Sequence, residues 1–223
     1  MKKSVLFLLA IVVGFTAFAQ KQPLKIGVKA GITFPKIITS DDAVFYDDSG
    51  AVRESKINTS FYFGATVDIP LGKGVLFQPG FSLIGKGSKV SYSSTLLSTR
   101  NPEKINILYF EVPANAVFNI PVGKNNVFLG LGPYFAYALS GTTRYDLNNS
   151  DTVEADKQNV KFGSDKDFKR FDIGANVLAG YQLANGLNIH GGVGASALKI
   201  SNLNATYLKA RNLVYSIGLG FSF

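Results

Sequence analysis

An eight-stranded antiparallel up-and-down β-barrel that crosses a membrane, with short periplasmic turns and long extracellular loops, is the all-β fold that the sequence predicts. Three observations predict it. Segments of about ten to fourteen residues carry apolar side chains at every second position, their connections alternate between tight Gly/Asn turns and long polar links, and no convincing helical period follows the first nineteen residues. Soluble strands average about five or six residues and a membrane strand needs about 9–11, so the segments are long enough to cross a bilayer.

The N-terminal segment stands apart from that pattern. Lys2 and Lys3 precede an apolar run from Val5 to Phe18, which closes on the small-x-small sequence Ala17-Phe18-Ala19. This is the form of a cleavable signal peptide over 1–19, leaving 20–223 as one barrel domain. A retained anchor fits less well, because the run is shorter than the roughly 20 apolar residues of a spanning helix. The chain has no cysteine, which excludes a lipoprotein anchor and disulfides, and a chain of this length buries enough surface without them. The formal charge of +8 falls by two when Lys2 and Lys3 leave. The remaining Lys and Arg are scattered without a basic helix or an RNA-binding aromatic signature, so nucleic acid is not an expected partner.

Strands are expected at 24–34, 58–70, 75–86, 105–120, 127–142, 168–183, 187–200 and 211–223. Turns fall at 71–74, 123–126 and 184–186, where Gly and Asn accept positive φ. Longer polar links occupy 35–57, 90–104, 143–167 and 201–210, and this asymmetry is that of a barrel with turns in the periplasm and loops outside. In the second strand Phe61, Phe63, Ala65, Val67 and Ile69 oppose Tyr62, Gly64, Thr66 and Asp68. In the fifth, Val127, Leu129, Leu131, Phe135, Tyr137 and Leu139 oppose Gly130, Gly132, Tyr134, Ala136 and Ser140. The seventh sets Leu187, Ile189 and Val193 against Asn188, His190 and Ser196. The eighth sets Leu213, Tyr215, Ile217, Leu219, Phe221 and Phe223 against small or polar residues, and Tyr215, Phe221 and Phe223 resemble the C-terminal signal that barrel-assembly machinery recognises. The polar faces are mostly Gly, Ser, Asn and Thr, which suit a narrow lumen better than a wetted surface, so the apolar faces are expected to meet lipid.

Charge gathers at the expected outer strand ends. Lys86, Lys89, Lys104, Arg144, Lys169, Arg170, Lys199 and Arg211, with Arg100 and Lys209, form a basic collar. Two readings of it stand: contacts to lipopolysaccharide phosphates by charge-assisted hydrogen bonds, or solvated charges at loop bases. Lys29, Asp68, Glu111 and Asp172 fall on the inward phase and are expected to neutralise one another in an interior polar network, since an unpaired buried carboxylate is too costly. His190, the one histidine, is inward with Asn188 and Ser196 on its face, and reads as an interior hydrogen-bonding residue before it reads as a general base. No catalytic, metal or cofactor site is expected. The acidic loop with Asp41, Asp42, Asp47 and Asp48 does not have calcium-loop spacing.

Ile26-Gly27-Val28-Lys29-Ala30-Gly31, Leu76-Phe77-Gln78-Pro79-Gly80-Phe81 running on to Gly85-Lys86-Gly87, and Leu108-Tyr109-Phe110-Glu111-Val112-Pro113 resemble the PorT-like outer-membrane β-barrel proteins of Bacteroidota, a porin family. The resemblance spans the mature chain and implies an outer-membrane barrel of undefined role; no motif here carries over the secretion role of a few relatives. The expected function is a structural or binding scaffold, not an enzyme, that presents 35–57 and 143–167 to an extracellular ligand or protein. A small porin-like channel or transport-related protein is the alternative, and a lipid-modifying enzyme follows behind it.

Overall fold

A computed structural model describes residues 23–38, 45–46, 52–93, 103–146, 155–163, 166, 168–200 and 210–223. These hold the strands β1 (Lys25–Ile38), β2 (Phe45–Tyr46), β3 (Val52–Lys56), β4 (Ser60–Gly72), β5 (Val75–Ser93), β6 (Glu103–Val122), β7 (Asn125–Asp146), β8 (Ala155–Asn159), β9 (Phe171–Gln182), β10 (Leu187–Ser196) and β11 (Arg211–Ser222). Eight of them, β1, β4, β5, β6, β7, β9, β10 and β11, form a closed antiparallel ring. The first strand seals it against the last, in register from Gly27 opposite Ser222 to Ile38 opposite Arg211. The expected signal peptide lies outside the described residues.

The three tight turns form where Gly and Asn were expected to permit them. Gly72, Gly74, Gly123 and Gly186 have φ of 100°, 78°, 63° and 92°, values that glycine reaches without steric cost, and Lys73 between the first two takes the left-handed region at 52°. The longer side differs from expectation. β5, β6 and β7 run for 19, 20 and 22 residues, about twice what the bilayer needs, and β3 and β8 lengthen the wall by pairing with β5 and β7. The segments expected to be loops at 35–57, 90–104 and 143–167 are therefore partly strand.

Alternation sets the faces. Phe61, Leu131, Val177 and Leu219 are 56%, 56%, 60% and 57% exposed on the outer wall, part of a continuous apolar belt of the kind hydrocarbon covers. One bulge resets the phase: the β6–β7 register shifts at Leu108 and Tyr109, so Tyr109 faces Ala138 while Leu108 faces Ser140. Ser140, expected in the lumen, is consequently exposed, and Gly141 and Thr143 are buried in its place. Toward the loop end the interior is apolar, built from Ile37, Ile105, Ile107, Tyr109, Tyr134, Ala136, Ala138, Ile200 and Ala210, with Phe162 and Phe168 packed against them. Lower down it is polar, which the sequence had implied for the whole lumen.

Candidate functional site

The lumen divides at a buried ion cluster. Lys86 on β5 is 1% exposed, and its Nζ lies 2.8 Å from Glu111 Oε2 on β6 and 3.0 Å from Asp172 Oδ2 on β9. Asp172 Oδ2 also accepts hydrogen bonds from Tyr134 Oη at 3.3 Å and Asn212 Nδ2 at 3.1 Å. Ser196 Oγ takes the Asn212 backbone N–H at 3.1 Å and lies 3.3 Å from Tyr134 Oη. The ammonium sits 4.1 Å from the Tyr134 ring centroid and 5.1 Å from that of Tyr109, within cation–π range. Six strands thus contribute to one knot across the barrel, in which a single ammonium serves two carboxylates.

Lys86 corrects the expected collar. Phe81 and Leu83 face out of β5, so Ser82, Ile84 and Lys86 face in; because β5 continues to Ser93, Lys86 lies inside the strand and not at its end. The phase of its own strand held the signal. Its partners Glu111 and Asp172 were among the four residues expected inside. The other two stand elsewhere: Asp68 Oδ1 accepts from Gln78 Nε2 at 2.7 Å, and Lys29 forms no ion pair within 4.0 Å among the described side chains. Lys29 nevertheless lies within coulombic reach of both Glu111 and Asp68, so it stands between the ion-paired knot and the Asp68–Gln78 pair.

Below the knot are two adjoining cavities of about 80 Å³ and 60 Å³, both lined by Lys29, Leu178 and His190. His190 Nδ1–H donates to Asn188 Oδ1 at 2.8 Å, which leaves Nε2 to accept the Tyr62 hydroxyl at 2.6 Å. Both ring nitrogens are engaged, and no Ser or Thr hydroxyl among the described residues bonds to either. No group of three potential metal ligands occurs among the described residues. The acidic loop at Asp41, Asp42, Asp47 and Asp48 lies outside them.

At the rim Lys89, Lys104, Arg144, Lys169, Arg170, Lys199 and Arg211 are exposed. Arg170 sits 5.7 Å from the Tyr137 ring and 5.6 Å from the Phe162 ring. Arg100 and Lys209 lie outside the described residues. At the opposite end the C-terminal backbone is tied to the first strand, Phe223 N–H donating to Ile26 O at 2.9 Å. The Phe221 and Phe223 rings meet edge to face at 4.9 Å, and Tyr215 stands on the outer wall, 43% exposed.

A model of the outer membrane protein β-barrel domain matches residues 18–198. No curated protein matches the chain in sequence. Among solved structures, Ail, the attachment invasion locus protein of Yersinia pestis, is 12% identical over 91% of this chain and all of its own, with a TM-score of 0.42. Neisserial surface protein A is 14% identical over 91% of this chain and 100% of its own, at 0.44. The outer membrane protein OprG from Pseudomonas aeruginosa is 12% identical over 89% and 95%, at 0.41.

Proposed function

The chain belongs to the outer membrane protein β-barrel domain family, and from that premise we propose that it is a non-conducting scaffold of the outer membrane that holds its loop-end strands and their connections outward as a binding surface. One observation carries this reading: the lumen is crossed by the Lys86–Glu111–Asp172 knot and, on its outer side, filled by the Ile105, Ile107, Tyr109 and Tyr134 core. Eight strands leave an interior that side chains can fill, and here bulky ones do. The finer resemblance to PorT-like barrels belongs to the same proposal, as do the partners at 35–57 and 143–167, the barrel-assembly machinery at Tyr215, Phe221 and Phe223, and lipopolysaccharide at the basic rim. The engaged nitrogens of His190 support a chain without hydrolytic chemistry.

A small channel is the second reading, favoured by the two adjoining cavities of the turn-end half, whose linings include Lys29, Asp68 and His190. Refolded full-length protein in a planar bilayer separates the two. A silent bilayer supports the scaffold, and discrete conductance steps that vanish on Lys29→Met would replace it with the channel.

A further inference from the structure

Strand register aligns five cations on one face of the wall. Lys56 on β3 stands directly opposite Lys89 on β5, Lys89 opposite Lys104 on β6, Lys104 opposite Arg144 on β7, and Arg144 opposite Lys157 on β8. All five are exposed. Like charges directly opposite one another destabilise a sheet, so four such pairs in a row work against folding unless an anion binds them. Among the described side chains no acid stands on the row: Glu54, two residues along β3 and opposite Ser91, lies 3.3 Å from Lys56, and none is within ion-pair distance of Lys89, Lys104, Arg144 or Lys157. The next row toward the turn end on that face, Gly87, Asn106, Thr142 and Asn159, is uncharged.

Height selects the ligand. The last large apolar residues on the outer face are Leu83 on β5, Leu108 on β6 and Leu139 on β7, and Lys89, Lys104 and Arg144 lie six, four and five residues further toward the loop end. At about 3.3 Å per residue and a tilt of about 40°, that is roughly 10 to 15 Å above the apolar belt. The polar headgroup layer is only about 5–7 Å thick. Phosphates at the hydrocarbon boundary are therefore too low, whereas a saccharide chain standing out of the leaflet reaches the row. The face also looks sideways from the barrel, toward neighbouring lipids. At about 4.8 Å per strand the five cations span about 19 Å, enough to hold several charged sugars along one chain.

We propose that this ladder binds the phosphate-bearing core saccharide of neighbouring lipopolysaccharide, and not the phosphates of its lipid A base. The inference rests on the loop end facing outward, and it sharpens the rim contact proposed above. The probe is the soluble, deacylated core oligosaccharide, titrated onto full-length protein refolded in neutral phosphatidylcholine nanodiscs. Binding is expected to fall at least tenfold when the oligosaccharide phosphates are removed, to weaken steeply with salt, and to fall at least tenfold in Lys89→Gln/Lys104→Gln/Arg144→Gln. The turn-end control Lys73→Gln/Lys124→Gln should bind as the parent does. If the triple variant gives no folded band on an unboiled gel, Lys104→Gln alone, at the centre of the ladder, should lose about threefold. Unchanged binding by the folded variant overturns the proposal, as does a preference for the deacylated lipid A disaccharide. Tighter binding of a soluble sulfated polysaccharide also overturns it and assigns the row to a soluble partner. None of these outcomes alters bilayer conductance, so a failed ladder and a failed scaffold remain distinguishable.

Discussion

Replacing Lys86 with methionine removes one charge from the place where the barrel can least tolerate its loss. The side chain is 1% exposed, bridges carboxylates at 2.8 Å and 3.0 Å, and lies between two tyrosine rings. Methionine keeps most of the stem volume, so repacking should cost less than about 1.5 kcal/mol. Removing one member of a buried ion pair costs about 3–5 kcal/mol, because the partner remains buried and uncompensated. Here two carboxylates lose the same cation. Asp172 keeps the Tyr134 and Asn212 donors, which softens its loss, and Glu111 carries the larger share; about 4 kcal/mol is the expected total. Against a total stability of about 5–15 kcal/mol, much of the protein's margin would disappear. The chain contains no Trp, so urea unfolding of vesicle-inserted protein is best followed by far-UV circular dichroism and by gel mobility without boiling. Lys86→Met/Glu111→Gln/Asp172→Asn should recover most of the loss, since neutral replacement of an entire buried cluster is often tolerated. A Lys86→Met variant within about 1 kcal/mol of the parent, the range of an ordinary surface change, would refute the assignment of Lys86 to the centre of the lumen.

Leu219 stands in the middle of the exposed run Tyr215, Ile217, Leu219 and Phe223. Leu219→Arg should therefore cost about 2–4 kcal/mol of folding into lipid, and Ser222→Thr should cost little; equal refolding yields in vesicles would count against the lipid-facing assignment. Gly31 pairs directly with Gly218 across the closing seam, and a Cβ there would come within 2.7 Å of Tyr62 Cε1 and collide with the Ile217 carbonyl. Gly31→Val should lower stability by about 1–3 kcal/mol and deplete the compact gel band. His190→Ala leaves the buried Tyr62 hydroxyl without its 2.6 Å partner, at a cost of about 1–3 kcal/mol. An esterase assay on parent and variant should read background for both; activity in the parent that the substitution abolishes would restore the enzyme reading.

Much of the barrel is written in local pattern. Gly72, Gly74 and Gly186 mark the turns, and Phe61, Phe63, Leu129 and Leu131 mark the outer wall, because both depend only on neighbouring residues. The site is less legible, since its geometry joins distant segments. Lys86 and Asp172 are 86 positions apart, and nothing in either neighbourhood names the other. A lysine near an apparent strand end looks like a rim charge until the strand is known to continue. The bulge at Leu108 and Tyr109 is likewise silent in the sequence, although it decides which of Ser140 and Gly141 faces inward.

The loop-side end of β5, expected at 86 and found at Ser93, escaped the sequence for a further reason, which lies in the solvent. Within the belt, β6 turns Phe110 and Val112 outward and Glu111 and Asn115 inward; nearer the loop end it turns Lys104 outward and buries Ile105 and Ile107. β5 makes the same exchange between Phe81 with Ser82 and Lys89 with Val90. Where hydrocarbon surrounds the wall, apolar side chains are stable outside; where water surrounds it, the ordinary soluble rule returns and they move inside. The phase of β5 and β6 is unbroken across this boundary, but the polarity of each face inverts. Any pattern that assigns one polarity to a whole face therefore ends the strand at the membrane surface and takes its continuation for loop. The inversion places the apolar core of Ile105, Ile107 and Ile200 above the bilayer, where it can hold the sheet that carries Lys89, Lys104 and Arg144 rigid.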